Sequence, residues 1–248
     1  MACIKGNSEV VKPILIYLVL LLVILLVLLQ LSYSYSNASL FSTAEYGAPM
    51  GAVARGMIFL GPLTVVSLIW YYFWTRRAIK SVTENIRCKE TDRVKLERYL
   101  NRLDRGSKLV VVGMLFDLVS FTFYYLLLYE GLGPSPGVIA VDYASLAVSI
   151  AGVALTIWGL GLVGHAISEI GRRVEYSEAV ELGGRAVLIG TVVGLLPYLV
   201  YYNVEVFTGE LPFVVLASSV SVAGLAVASG GTLVVVLYLI SLRTAKPD

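Results

Sequence analysis

Six separate stretches of this chain are apolar for long enough to cross a lipid bilayer, and few folds tolerate that. The first, Ile14 to Leu31, is broken only by Tyr17 and Gln30. At about 1.5 Å per residue it covers roughly 27 Å, close to the thickness of a bilayer's hydrocarbon core. It is longer than the core of a signal peptide and reads as an uncleaved signal anchor behind Lys5 and Lys12. The others are Gly51–Trp74, Leu109–Tyr129, Val138–Gly164, Arg185–Tyr202 and Phe213–Leu242. Composition agrees: 58% of the 248 residues are hydrophobic and 15% charged, where a soluble domain carries about 25% charged residues. The expected fold is therefore all-α, a polytopic transmembrane bundle of six helices forming one integral membrane domain over residues 1–248.

The basic residues orient it. Lysine and arginine are retained on the cytoplasmic side of short loops. With both termini inside, 18 of the 19 Lys and Arg lie in cytoplasmic segments, Arg55 being the exception. Glu45, Glu130, Asp142, Glu205 and Glu210 fall in the outer links or the helix ends beside them. A multi-pass protein of the plasma membrane with cytoplasmic N- and C-termini is expected. Aromatics at Trp70–Trp74 before Arg76 and Arg77 mark an inner interface, and Tyr33, Tyr35, Tyr129, Tyr198, Tyr201 and Tyr202 suit the outer one.

Residues 76–108 form a basic cytoplasmic elbow with eleven Lys or Arg against five Asp or Glu. Ile79, Val82 and Ile86 extend the second helix inward, while Leu96, Tyr99, Leu100 and Leu103 make an apolar stripe that Gly106 is expected to end. Such a segment suits anionic headgroups or a docking partner, or is a solvated elbow whose acids alternate with its bases.

From Gly106 the chain reads as a tandem repeat of helical hairpins. Gly106-Ser107-Lys108 and Gly183-Gly184-Arg185 each open an apolar climb to a tyrosine pair, Tyr124-Tyr125 and Tyr201-Tyr202. A constant offset of 77 residues aligns Gly113 with Gly190, Leu118 with Leu195 and Ala151 with Ala228. Gly190 and Gly194 form a GxxxG pair, and Gly159, Gly161, Gly164, Gly224, Ala228, Gly230 and Gly231 extend the supply of small residues. In lipid these let helix backbones approach closely. Pro197 marks a bend or hinge in the fifth span.

Few residues could carry chemistry. Asp117 lies nine residues past Lys108, about 13 Å into the core and near the midplane. A charged, unpaired carboxylate there costs several kcal/mol, so Asp117 must face the bundle. It is either a proton- or cation-binding group or an acid bonded to a Ser, Thr or carbonyl on another helix. Arg55, at the outer interface, is matched in level by Asp142 and forms a candidate ion pair with it. Asn37-Ala38-Ser39 is a glycosylation acceptor pattern in the link expected over Ser32–Pro49. The single histidine, His165, excludes bis-histidine haem ligation, and Ser229 at mid-span is too far from it for a serine–histidine pair. Cys3 and Cys88 have no metal-ligand spacing and lie on the cytoplasmic side. No cofactor, metal or nucleic-acid partner is expected.

In its hairpin layout and its Gly-Gly-Arg-x-x-x-x-Gly motif (Gly183, Gly184, Arg185, Gly190), the stretch 100–243 resembles the multi-pass membrane proteins of crenarchaea known as the domain-of-unknown-function 973 group. The resemblance implies an archaeal plasma membrane and carries no activity. A thermophile's composition, with one Gln and one His, leans the same way. The functional expectation is a non-catalytic membrane protein, an accessory or scaffold subunit meeting lipids and other membrane subunits through small-residue helix faces or the elbow. The alternative is a small transporter or channel using Asp117.

Overall fold

A computed structural model describes residues 8–41, 48–84, 90–129, 136–172, 178–208 and 211–244, with side chains described chiefly within 10–30, 65–84, 93–122, 136–172, 178–197 and 216–241. Within them are six α-helices: α1 (Ser8–Phe41), α2 (Ala48–Glu84), α3 (Glu90–Tyr129), α4 (Pro136–Gly171), α5 (Glu178–Thr208) and α6 (Leu211–Thr244). No strand occurs among the described residues. The chain is all-helical, and α1, α4, α5 and α6 each contain a stretch long and apolar enough to cross a membrane. The apolar stretches 51–74 and 109–129 lie inside α2 and α3.

Each helix packs on the next in the chain, and α6 returns to α1; among the described residues no other pair of helices brings its backbones close together. The six therefore close into a ring in chain order. One apolar cluster joins the helices: Leu21 and Leu25 of α1, Leu68 of α2, Leu160 of α4 and Leu225 of α6 are all essentially inaccessible and belong to it.

Between helices in lipid, apolar burial contributes little and close backbone contact holds them together. Glycines supply it. A Cβ on Gly159 would lie 2.7 Å from both the Gly106 carbonyl oxygen and the Val110 nitrogen, so α3 and α4 meet backbone to backbone. Gly113 meets Gly152 on the same seam. On the α5–α6 seam Gly183 meets Gly231, and Gly190 meets Gly224.

These contacts correct the expected register. From α3 to α5 the shift is 77 residues (106 to 183, 113 to 190), but from α4 to α6 it is 72 (159 to 231, 152 to 224). Thr156, rather than Ala151, stands where Ala228 does, each against the glycine at 113 or 190. The link 209–210 is shorter than the link 130–135 and absorbs most of the difference.

Three other expectations change. Gly106 ends no helix: the part of the elbow from Glu90 onward and the third apolar stretch are one continuous α3. The missing side chain serves the contact with Gly159 rather than a cap. The link expected over Ser32–Pro49 is helical through Phe41, which puts Asn37 inside α1. The elbow's apolar stripe is covered by the chain itself, because Leu96 and Leu100 bury with Val10 of α1 and Val82 of α2. Arg93, Lys95, Arg98, Asn101 and Arg105 are left facing outward.

Candidate functional site

The polar groups inside the ring sit on helix seams. Asp117 lies on the α3 face turned to α4, one turn beyond Gly113, and Ser149 of α4 donates its hydroxyl to Oδ1 at 3.2 Å. Gly152 makes the room, since a Cβ there would come within 2.8 Å of that oxygen. Three residues further along α3, Ser120 donates to the Ser145 carbonyl at 2.5 Å. Adding 77 to 117 gives Gly194, and adding 72 to 149 gives Ser221. Ser221 donates its hydroxyl to the Gly194 carbonyl. The same hydroxyl thus finds a carboxylate on one seam and a backbone oxygen on the other. The seam does not require a carboxylate at this level, and Asp117 is what distinguishes the α3–α4 pair from the α5–α6 pair.

Arg55 lies in α2 and Asp142 in α4, helices that are not neighbours among the described residues, and both side chains lie outside the described part. The side chain of Asn37 lies outside it too. Ser229 is buried in α6, its Oγ without a hydrogen-bond partner among the described residues. No serine–histidine contact is found there.

Two polar clusters had only faint sequence signals. Tyr17 and Tyr71 are wholly buried between α1 and α2, their rings stacked with centroids 5.4 Å apart. Their hydroxyls are 3.4 Å apart, and Tyr71 OH is 3.2 Å from Ser107 Oγ on α3. A buried phenol needs a partner, and this chain of three hydroxyls ties three helices together. Tyr17 as the first break in an apolar run and Ser107 beside Gly106 were the available signals.

The second cluster lies where α3 and α4 meet beside the elbow. Arg102 Nη1 donates to His165 Nε2 at 2.9 Å, joining α3 to α4. Guanidinium is donor only, so Nε2 is the unprotonated nitrogen and the imidazole is no free general base at that position. Tyr99 stands edge-on to the His165 ring, and Arg102 lies 5.7 Å from the Tyr99 ring centre. Nearby, Arg172 at the end of α4 bonds Glu181 of α5 at 2.7 Å, and Arg185 bonds the same oxygen at 2.5 Å. Hydrogen bonding from Arg172 and the charges of both arginines hold the Glu181 carboxyl below its ordinary range, with burial opposing them. Asp104 bridges Lys108 and, across the α2–α3 seam, Arg76.

The described polar groups thus bond helix to helix; they do not assemble a nucleophile, a base and an oxyanion donor around a common point. No family model, curated protein or solved structure matches this chain.

Proposed function

We propose that this chain is a non-catalytic plasma-membrane protein with six transmembrane helices and cytoplasmic termini, acting as an accessory or scaffold subunit of a membrane complex. Its second and third hairpins are read as copies of one ancestral unit, related by rotation about an axis along the membrane normal. The resemblance carried by Gly183, Gly184, Arg185 and Gly190 makes that membrane an archaeal one. The observation that carries the functional reading is the closed apolar packing of the ring. Leu21, Leu25, Leu68, Leu160 and Leu225 are buried in one cluster, and the described polar clusters join neighbouring helices.

The test is purification from native membranes in mild detergent, with chemical cross-linking and identification of bound chains. The reading expects membrane subunits in stoichiometric amount. A chain that purifies as an isolated monomer and passes solute in proteoliposomes contradicts it.

One observation favours transport through the Asp117 site instead. The α5–α6 seam closes with Gly194 at the equivalent level, so the carboxyl is dispensable for packing and costly in lipid. That reading requires Asp117→Asn to abolish flux in a protein that remains folded.

A further inference from the structure

Most of the ring's outer surface is made of large side chains, as a face toward lipid should be: Val19, Val23 and Leu26 on α1, for example, or Ile189, Val193 and Leu196 on α5. Two faces depart from this. On α4 the exposed positions Ala144, Ala151 and Trp158 recur every seven residues. On α6 the exposed positions Leu216, Ala223 and Gly230 do the same. The 72-residue shift that relates the two helices maps 144 to 216, 151 to 223 and 158 to 230. These are equivalent faces, and their bulky and small ends are exchanged.

We propose that the exposed face of α4 docks on the exposed face of α6 of a second copy of this chain, with Trp158 seated in the space at Gly230 and Leu216 over Ala144. Trp158 is 63% exposed and Leu216 is 62% exposed, so both project from the surface. Around Gly230 an added Cβ would meet nothing within 4 Å, so the face has open space where a side chain is missing. The two helices run in the same direction through the ring, so a parallel pairing in register sets every bulky group opposite a small one. The two like-with-like pairings fail that test. Pairing α4 with α4 brings Trp158 against Trp158, and pairing α6 with α6 brings Leu216 against Leu216 while leaving the space at both Gly230 positions empty. A seven-residue spacing is also the repeat that keeps two helices in contact as they cross at about +20°. Trp158 lies one residue from the Gly159–Gly106 contact, near the end of the apolar stretch, where an indole could serve alone as an interfacial anchor. That role leaves unexplained the exchange at the other end, where Leu216 meets Ala144 two heptads away. Because the two faces differ, the contact is heterologous, and repetition by rotation closes copies into a ring.

This inference deepens the proposed scaffold role by naming one partner, and its failure is separable from failure of that role. Binding of other subunits is read by co-purification, whereas this contact is read by directed cross-linking. In chains lacking Cys3 and Cys88, Ala151→Cys and Ala223→Cys are expressed singly, mixed, and combined in one chain, in native membranes under oxidation. The expected result is no cross-link from either single variant, a dimer from the mixture, and a ladder from the combined variant. Gly230→Leu fills the space without touching the fold's own seams, and it should lower the cross-linked fraction by about tenfold or more, as loss of an anchor pocket does. A dimer from Ala151→Cys alone, no dimer from the mixture, or full cross-linking with Gly230→Leu would each overturn the proposal.

Discussion

Adding one methyl group at Gly159 should separate α3 from α4. The Cβ of Gly159→Ala would lie 2.7 Å from the Gly106 carbonyl oxygen, 2.7 Å from the Val110 nitrogen and 2.9 Å from Val110 Cγ2. Two of those atoms are backbone of the facing helix and cannot turn aside. Ordinary contact needs about 3.5 Å or more, so α4 must retreat by roughly 1 Å along this seam. A gap of that size forfeits a quarter to a half of each dispersion contact it opens, and overpacking of this kind costs about 1–3 kcal/mol. The better helix propensity of alanine returns up to about 1 kcal/mol. A net loss of about 1–2 kcal/mol is expected, read as a lower midpoint when the protein is unfolded by sodium dodecyl sulfate in mixed micelles and followed by circular dichroism. Gly231→Ala should behave alike, since its Cβ would meet Ala186 Cβ and lie 2.8 Å from the Gly183 carbonyl oxygen. Gly230→Ala, with nothing within 4 Å, should leave monomer stability unchanged or slightly raised. A Gly159→Ala protein as stable as the parent, or a Gly230→Ala protein equally damaged, would refute the account of the seams.

Tyr71→Phe removes the central hydroxyl of the three and leaves Tyr17 OH and Ser107 Oγ without it. A loss of about 1–3 kcal/mol is expected in the same unfolding assay, and a smaller one from Tyr17→Phe. Asp117→Asn keeps the hydrogen bond with Ser149 and should be tolerated, whereas Asp117→Leu should cost about 1–3 kcal/mol; a destabilised Asn variant would show that the charge matters. Glu181 is more acidic in the folded chain than in the unfolded one because of Arg172 and Arg185. Its contribution is therefore present above the ordinary carboxylate pKa and is lost as pH falls through the lower folded-state value. Acidification through that window should increase amide exchange at the α4–α5 junction, and Glu181→Gln should remove that part of the pH dependence.

What the sequence made legible follows from how strongly each feature is coupled to a local pattern. A run such as Ile14–Leu31 declares a helix by itself, because lipid and the backbone leave no other structure open to it. The glycines of the seams were legible as packing residues for a similar reason. Which glycine met which was not: the partners of Gly113 and Gly190 depend on the length of the link that follows, and a link four residues shorter accounts for four of the five residues by which the two shifts differ. Gly106 read as a terminator because a glycine after an apolar stripe usually is one; only the neighbouring helix shows that its bare face is needed at Gly159. The Tyr17–Tyr71–Ser107 chain was hidden because its members come from three helices and each has a commonplace role by itself. Asp117 stood out because a carboxyl in an apolar run is costly anywhere, but its partner, Ser149, was one hydroxyl among several.

The most direct test of the six-span topology is labelling of single cysteines with a membrane-impermeant maleimide on sealed cells, in a chain with Cys3 and Cys88 replaced by serine. The account predicts that Ser135→Cys, in the link between α3 and α4, is labelled from outside, and that Asn101→Cys, on the exposed face of the elbow, is labelled only after the membrane is opened. Labelling of Asn101→Cys in intact cells, or protection of Ser135→Cys, would contradict it.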